Sequence, residues 1–519
     1  MQPWLPLGVA LAAVLGLALA FVLARRREVR FWTRALSYVA ALKTVDGAHV
    51  LDRLVAPLTA GRAGESGLLL VPSNIEALGL RLNSARLAGR SLDLQYYYWK
   101  ADLTGQMLCR EVIAAADRGV RVRLLLDDIN AFGFDSTYIA LDSHRNISVR
   151  MFNPSRSRGN RLRRGIELLL KYSTSTRRMH NKSWIVDGRL AIVGGRNIGD
   201  AYFDASEQSN FRDVDVLMMG KAVADTVAVF DSYWNSASAV PIRFLHRHRR
   251  PKLAKLTRRL DGAASSPQAL RLLGAVAART PIEEMLAGNP SLKWTAEASV
   301  LADPPEKAAG GARENWLAPR IRQLFGGATS SLCIVSPYFV PGVTGALELR
   351  ALKAQGVDIE VLTNSLAATD VVAVHGAYAR YRRLLVDSGI RLFELKQLHG
   401  KQRASVLGSR TASLHTKSFV IDAEQGFVGS FNLDPRSASI NTEMGVFFRD
   451  AELAGALRKL FDKQTASGAS YRLEMRGRTL VWHDLSPPPG ADLTSEPGSG
   501  FWRRLMAWVI GLLPIESQL

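Results

Sequence analysis

Cysteine, acidic residues and long apolar runs are the features of which this sequence has least. Its 519 residues include only two cysteines, Cys109 and Cys333. This pair excludes a disulfide framework and a four-cysteine zinc site. The 47 acidic residues are outnumbered by 67 Lys and Arg, which leaves a net charge of +20. The excess favours an anionic partner, although charge alone does not say which. An apolar content of 47% is typical of a folded chain.

One long apolar run is present, Trp4–Ala24, and Arg25 to Arg27 follow it at once. Its length is sufficient to span a hydrocarbon core of about 30 Å. A secretory signal carries its positive charge before the apolar segment, so this order favours an uncleaved anchor with the following chain in the cytoplasm. A cleaved signal peptide is the alternative.

Two stretches of the chain are variants of one motif: Met179–Asn197, MHNKSWIVDGRLAIVGGRN, and Leu414–Asn432, LHTKSFVIDAEQGFVGSFN. In each, a histidine is followed two residues later by a lysine and five residues after that by an aspartate. The motif residues are His180, Lys182, Asp187, His415, Lys417 and Asp422. Each copy then reaches a small residue (Gly195, Ser430) and an asparagine (Asn197, Asn432) at matching distances. Two such copies are far beyond chance, so we expect them to meet in one site for phosphodiester chemistry.

Other landmarks recur in the same order. Ser331–Phe339 resembles Ser91–Trp99, and Gly356–Leu362 resembles Gly119–Leu125. Strand and helix signals alternate in both regions, so the sequence predicts two similar α/β domains. The predicted divisions are a transmembrane anchor (4–24), a connector (25–72), a first domain (73–231), a basic helical segment (232–314), a second domain (315–485), and a linker with a C-terminal interfacial helix (486–519).

The residue types of the motif suit phosphoryl transfer. One histidine can attack phosphorus while the other protonates the leaving alcohol and then activates the acceptor. Lys182 and Lys417 can neutralise the charge that develops on the non-bridging oxygens. A strand would place His180 and Lys182 on one face. No metal or cofactor is needed for this chemistry.

The carboxylates divide into two kinds. Asp187 has the opposite parity from His180 and begins a turn with Gly188, so it and Asp422 are predicted to be structural. Each imidazole should have a carboxylate that fixes its tautomer. Asp213 and Glu443 lie after the motifs, each just before an apolar strand, and are the candidates.

The paired motifs, with the interval from His415 to Glu443, resemble the phospholipase D superfamily. LDLQYYYW, SPYFVPG and TNSLAATDVVAVHGAYARYR resemble the bacterial cardiolipin synthases within it. The resemblance runs from about Ile75 to Phe461. It implies an α/β fold of two similar phospholipase D-type domains, each a mixed β-sheet flanked by helices. Pseudo-twofold symmetry would relate these domains, and the N-terminal transmembrane helix would precede them.

The resemblance also implies an activity. A phosphatidyl group would pass from a donor phospholipid to a histidine and then to phosphatidylglycerol, giving cardiolipin. Family precedent makes His180 the nucleophile and His415 the acid and base, an assignment that the symmetric motifs do not decide. The expected phosphate- and substrate-binding residues are Gly195, Asn197, Ser430, Asn432, Tyr98, Tyr338 and His375. Arg196 is a further candidate; an aromatic core and a helix surface are the alternatives for the tyrosines and for His375.

The expected partners are an anionic phospholipid membrane and two substrates, phosphatidylglycerol and phosphatidylethanolamine. We expect a monomer at the bacterial inner membrane, with its catalytic domains on the cytoplasmic face and no nucleic acid bound. Phospholipid hydrolysis is the alternative activity, and a nuclease, which the charge would also permit, is a weaker one. Phe501–Leu513 combines aromatics with Arg503 and Arg504, which suits either a membrane interface or docking on the protein core.

Overall fold

The structure is a computed structural model. It describes residues 39–42, 47, 49–131, 133–155, 176–245, 252–279, 282, 284, 286, 291–397, 411–466, 468–484, 486, 492–513 and 516–518.

The strands of the first half are β1 (Ser66–Val71), β2 (Ser91–Tyr96), β3 (Arg121–Asp127), β4 (Ile147–Phe152), β5 (Ser183–Val186), β6 (Leu190–Gly194), β7 (Ser209–Arg212), β8 (Asp215–Gly220), β9 (Ala239–Pro241) and β10 (Lys293–Thr295). All except β7 form one sheet in the order β10-β1-β8-β6-β5-β2-β3-β4-β9. β2, β3 and β4 are parallel, and the other pairs are antiparallel. The sheet is therefore mixed, as the sequence predicted.

The strands of the second half are β11 (Ala298–Ala302), β12 (Ser331–Val335), β13 (Asp358–Asn364), β14 (Arg391–Leu395), β15 (Thr411–Leu414), β16 (Ser418–Ile421), β17 (Gln425–Gly429), β18 (Met444–Arg449), β19 (Ser470–Arg476) and β20 (Thr479–Asp484). All except β15 form one sheet in the order β11-β18-β17-β16-β12-β13-β14-β19-β20. From β1 to β9 and from β11 to β19 the two orders correspond strand by strand. The duplication inferred from the sequence is thus a duplication of topology.

Helices cover the sheets. The α-helices are α1 (Val50–Thr59), α2 (Asn74–Leu87), α3 (Leu103–Asp117), α4 (Asp128–Ala131), α5 (Asp135–Asp142), α6 (Lys221–Trp234), α7 (Ile242–Leu245), α8 (Leu253–Ala264), α9 (Pro267–Ala277), α10 (Leu317–Gly326), α11 (Gly342–Ala354), α12 (Val372–Ala379), α13 (Arg382–Asp387), α14 (Pro435–Ser439), α15 (Ala451–Thr465) and α16 (Phe501–Leu512). Side chains start several of them: Ser73 accepts from the Glu76 N–H and Asp102 from the Gly105 N–H.

The first sheet extends beyond the predicted bounds of 73–231. β1 comes from the predicted connector, and β9 and β10 come from the predicted basic segment. β11, from that same segment, joins the second sheet instead. β9, β10 and β11 lie at sheet edges, where short strands pair through backbone groups and their side-chain pattern shows them only weakly.

The N-terminal transmembrane helix is a part of the predicted fold class that is not supported. Residues 4–24 lie outside the described residues, and none of the described helices is long and apolar enough to cross a membrane. The longest have 15 residues, about 22 Å at 1.5 Å per residue against a hydrocarbon core of about 30 Å. The fold class is corrected to two α/β halves.

The two halves share a hydrophobic core, and short backbone segments of each half form β-bridges with segments of the other. One buried apolar cluster contains residues of both sheets, among them Val193, Val216, Val428 and Val446. β15 of the second half pairs in parallel with β7 of the first. Met179 of the first half forms a parallel bridge with Thr442 of the second. These reciprocal pairs lie directly before the two motif histidines.

Candidate active site

His180 is positioned by the second half of the molecule. Its N–H donates to the Thr442 carbonyl oxygen at 2.8 Å. The next residue, Glu443, places its Oε2 2.8 Å from Nδ1 of His180. Glu443 is completely buried, whereas 12% of the His180 side chain remains exposed.

His415 is positioned in the same way by the first half. Its N–H donates to the Arg212 carbonyl oxygen at 2.8 Å. The next residue, Asp213, places Oδ2 2.6 Å from Nδ1 of His415. Each half therefore provides one histidine and the carboxylate for the histidine of the other half, a reciprocity typical of twofold symmetry.

These contacts fix the tautomers. Each carboxylate accepts a hydrogen bond from an Nδ1–H group, so Nε2 of each neutral imidazole carries the lone pair. Nε2 is the atom that can attack phosphorus or exchange a proton with an alcohol.

The predicted strand at His180 and Lys182 is wrong in its boundary, because β5 begins at Ser183. The motif histidines lie in the extended segments before these strands, where they pair with the other half.

The ammonium group of each motif lysine contacts the backbone of the histidine two residues before it. Lys182 Nζ donates to the His180 carbonyl oxygen at 2.6 Å, and Lys417 Nζ donates to that of His415. Both side chains are almost completely buried. Each ammonium has further N–H groups that can bind a phosphate oxygen.

Burial controls the charges of the basic groups. It lowers the pKa of His180 to about 4, with Lys182 adding to the effect and Glu443 opposing it. Burial and the two lysines hold the pKa of His415 well below its ordinary value. Burial also lowers the pKa of Lys182 well below its ordinary range and that of Lys417 to about 8. An anionic phosphodiester between these groups would reverse part of this shift, because it stabilises every protonated form.

The small residue fifteen positions after each histidine differs between the halves. A Cβ at Gly195 would lie 2.5 Å from Asp213 Oδ1, so only glycine leaves room for that carboxylate. Ser430 instead donates its hydroxyl to Glu443 Oε2 at 2.5 Å. Both residues predicted to bind substrate thus contact the orienting carboxylates.

Asn197 and Tyr98 meet at Tyr202, a residue that was not predicted. The Tyr98 hydroxyl lies 2.9 Å from the Tyr202 hydroxyl, to which Asn197 Nδ2 donates at 3.2 Å. The Tyr202 hydroxyl is 3.4 Å from His415 Nε2. Tyr202 follows Asn197 by five residues, and that proximity in sequence was the only available signal.

The remaining residues that were predicted to bind substrate contact groups other than the two histidines. They are Tyr338, Asn432 and His375. The Tyr338 hydroxyl donates to Asp370 at 2.8 Å. The backbone N–H of Asn432 lies 3.3 Å from the Ser437 hydroxyl, and its buried Oδ1 has no hydrogen-bond partner in the described structure. His375 is buried against Glu496, at 3.3 Å, and Arg382.

Arg196 and Tyr97 support the site. Arg196 is buried and donates to the Asp213 carbonyl oxygen at 2.6 Å. It therefore fixes the backbone that carries the carboxylate of His415. Tyr97, also missed from sequence, packs edge-on against His180 with ring centres 5.1 Å apart, and Lys182 Nζ lies 5.6 Å from the Tyr97 ring centre.

The motif aspartates bind backbone groups. Asp187 accepts from the N–H groups of Gly89, Arg90 and Ser91 at 2.7–2.9 Å. Asp422 accepts from the N–H groups of Thr329, Ser330 and Ser331 at 2.8–3.1 Å. Asp187 therefore holds the start of β2, and Asp422 holds the start of β12. Each aspartate lies directly after the last residue of its own motif strand, β5 or β16.

Comparisons with known proteins found a matching family model, similar relatives and a solved structure of similar fold. A family model described as "Cardiolipin synthase, PLD-like domain" matches residues 80–234 and 321–465. Cardiolipin synthase C of Escherichia coli K12 is 38% identical over 90% of this chain and 99% of its own length. An uncharacterized protein of Helicobacter pylori 26695 is 32% identical over 88% of this chain and 89% of its own. The phosphatidylserine synthase of Haemophilus influenzae Rd KW20 covers 82% of this chain and 92% of its own, with a TM-score of 0.54 at 15% identity, which is a likeness of fold.

Proposed function

Because this chain belongs to the family of cardiolipin synthases with phospholipase D-like domains, we propose that it is a phosphatidyltransferase that makes cardiolipin. The donor is a phospholipid, either phosphatidylglycerol or phosphatidylethanolamine, and the acceptor is phosphatidylglycerol. The relatives are bacterial, so the proposed location is the bacterial inner membrane. A monomer that does not act on nucleic acid is part of the same proposal.

The observation that carries the proposal is the reciprocal pairing of histidines and carboxylates. Two imidazoles, each with Nδ1 held by a carboxylate of the other half, can serve one phosphorus atom from opposite sides. One lysine accompanies each imidazole. Such a site forms and then breaks a covalent phosphohistidine, which a transfer between two alcohols requires.

In the first step, Nε2 of His180 attacks the phosphorus of the donor. His415 is protonated while the anionic substrate is bound. The bond between phosphorus and the head-group oxygen breaks, and His415 donates its Nε2 proton to that oxygen. In the second step, the glycerol hydroxyl of phosphatidylglycerol returns a proton to His415 Nε2 and attacks phosphorus. The bond to His180 breaks, giving cardiolipin and the free enzyme.

The surroundings of the two carboxylates support His180 as the nucleophile. Although burial would raise the pKa of Glu443, the facing His180, Lys182 and Ser430 hold it below its ordinary value. Burial raises the pKa of Asp213 despite Lys417 and Arg196. A phosphorylated imidazole is cationic, and it gains most from the carboxylate that stays ionised.

Product analysis tests the activity. Liposomes of labelled phosphatidylglycerol, with and without phosphatidylethanolamine, are incubated with the protein, and the lipid products are separated. We expect labelled cardiolipin, with glycerol released when phosphatidylglycerol alone is present. If phosphatidic acid were the sole product, the activity would be hydrolysis and not transfer. If DNA were cleaved without lipid turnover, the protein would be a nuclease and neither lipid activity would hold.

A further inference from the structure

The C-terminal helix α16 is fixed to the second half by a face of small residues. Ala507 is buried, and a Cβ at Gly376 of α12 would lie 2.4 Å from the Ala507 carbonyl oxygen. Gly511 also lies directly against the Gly376 backbone. This contact holds only if both positions are glycine, so the docked position of α16 is specified by the sequence.

The opposite face of α16 is apolar and uncovered. At about 100° per residue, a single face carries the exposed residues Phe501, Trp502, Met506, Trp508, Val509 and Leu512, with the half-buried Leu505 among them, and Leu513 follows. Trp502 is 76% exposed, Leu512 66% and Trp508 63%. A contiguous apolar surface of this kind marks an interaction site.

The chemistry of this face fits an anionic lipid surface. The helix has 12 residues, about 18 Å, which is too short to span a hydrocarbon core of about 30 Å. Arg503 and Arg504 lie at the boundary between the docked and the apolar faces, where an interfacial helix places its cations. Tryptophan is the residue that prefers the headgroup region. The chain's charge of +20 is complementary to such a surface.

The same helix is connected to the active site. Arg503 donates from Nε to the Leu366 carbonyl oxygen at 2.8 Å and from Nη2 to that of Thr369 at 2.5 Å. The next residue, Asp370, accepts from the Tyr338 hydroxyl. Ala368 of this loop accepts from the Ser413 hydroxyl at 2.9 Å, two residues before His415.

We propose that the apolar face of α16 docks on an anionic phospholipid bilayer, and that Arg503 and loop 366–370 hold the docked helix in a fixed position relative to His415. The identity of the surface rests on the proposed function, because the substrates are membrane lipids. The docking itself does not depend on catalysis. Arg503 is a positioning residue in this arrangement.

An environment-sensitive fluorophore tests the docking. Met506→Cys in the full chain is labelled selectively because Cys109 and Cys333 are buried. We expect a blue shift on addition of phosphatidylglycerol vesicles and a smaller one with phosphatidylcholine vesicles. The matched control is Leu270→Cys on α9, 59% exposed in the first half, which should not respond. No shift at position 506, or equal shifts at both positions, would overturn the proposal.

Self-association is the competing occupant of the face. A shift at position 506 that rises with protein concentration without vesicles, together with a dimer in sedimentation, would assign the face to a second copy. Catalysis is not measured in this arm, so a failed transferase activity with a normal shift would overturn only the proposed function.

Kinetics test the connection. Trp502→Glu with Trp508→Glu should raise the vesicle KM about tenfold relative to Leu270→Glu, with a smaller effect on short-chain lipid dispersed as monomers. Arg503→Ala should keep the shift at position 506 but lower kcat on vesicles about fivefold, and Arg503→Lys should restore part of it. Unchanged kcat in Arg503→Ala would disprove the coupling to the active site.

Discussion

The two halves have the same strand order and the same motif, but their histidines lie in different surroundings. His180 faces Glu443, whose carboxylate also accepts from Ser430 and Ser437. His415 faces Asp213, which also accepts from the Val214 N–H, while Tyr202 lies beside its Nε2. Topology is thus shared, whereas the hydrogen bonds around each imidazole are not.

This difference separates two roles that the sequence motif leaves equal. The carboxylate with more donors and a lowered pKa suits a histidine that carries positive charge through a covalent intermediate. The carboxylate whose pKa burial raises suits a histidine that gains and loses a proton in each step. Twofold symmetry of the backbone therefore does not impose symmetry on the chemistry.

Removing each histidine gives the largest expected effect. His180→Ala should lower turnover by about 10⁴-fold and form no phosphoenzyme. His415→Ala should lose about 10²–10⁴-fold but still form the phosphoenzyme from a p-nitrophenyl phosphatidyl donor, because that leaving group needs no acid. Rapid quenching with phosphate analysis of the protein distinguishes them. Phosphate found on His415 in the His180→Ala variant would reverse the roles.

Neutralising each carboxylate tests the exchange between the halves. Glu443→Gln and Asp213→Asn should each lower kcat by about 10²-fold, because an amide does not hold the reactive tautomer. With the p-nitrophenyl donor, the first step should recover in Asp213→Asn but not in Glu443→Gln. Recovery in both variants would contradict the separate roles of the two pairs.

The pH dependence of kcat/KM compares the two lysines. Since the pKa of Lys417 is about 8 in the free site, loss of its proton above that pH removes a charge that binds the phosphate. We therefore expect kcat/KM to fall by about tenfold per unit as pH rises beyond about 8. Lys417→Arg should abolish the fall near pH 8, whereas Lys182→Arg should leave it in place. An identical profile in both variants would exclude Lys417 as its source.

Much of the site is readable in the sequence because the motif is doubled. The spacing around His180 and His415 predicted the histidines, the lysines and the carboxylates that the structure brings together, and the turn at Asp187 predicted the hairpin of β5 and β6. Recurrence of the flanking strands predicted two mixed α/β halves, which the sheet orders reproduce.

What was missed depends on contacts between distant segments. Neither the pairing of Glu443 with His180 nor that of Asp213 with His415 follows from one linear sequence, since both arise from the backbone exchange at Thr442 and Arg212. Tyr202 lies in a short 3₁₀ turn whose position against His415 is set by the packing of the two halves. His375 has a helical pattern that gives no sign of its burial against Glu496, 121 residues away.

The motif aspartates give the smallest expected effect on catalysis and a clear one on stability. Asp187 is buried, and Asp187→Ala leaves two buried N–H groups and one partly buried N–H group without an acceptor, so we expect a loss of about 3 kcal/mol. Asp422 is partly exposed and water can replace it, so Asp422→Ala should cost about 1 kcal/mol. Thermal unfolding measures both, with activity per folded molecule as the control.

Backbone N–H donors hold the pKa of Asp422 below its ordinary value. Its stabilisation is therefore complete above the unfolded-state pKa of about 3.9 and is lost as pH falls below it. If the penalty of Asp422→Ala instead grew on acidification, or if either variant lost turnover while fully folded, these aspartates would belong to the chemistry and not to the scaffold.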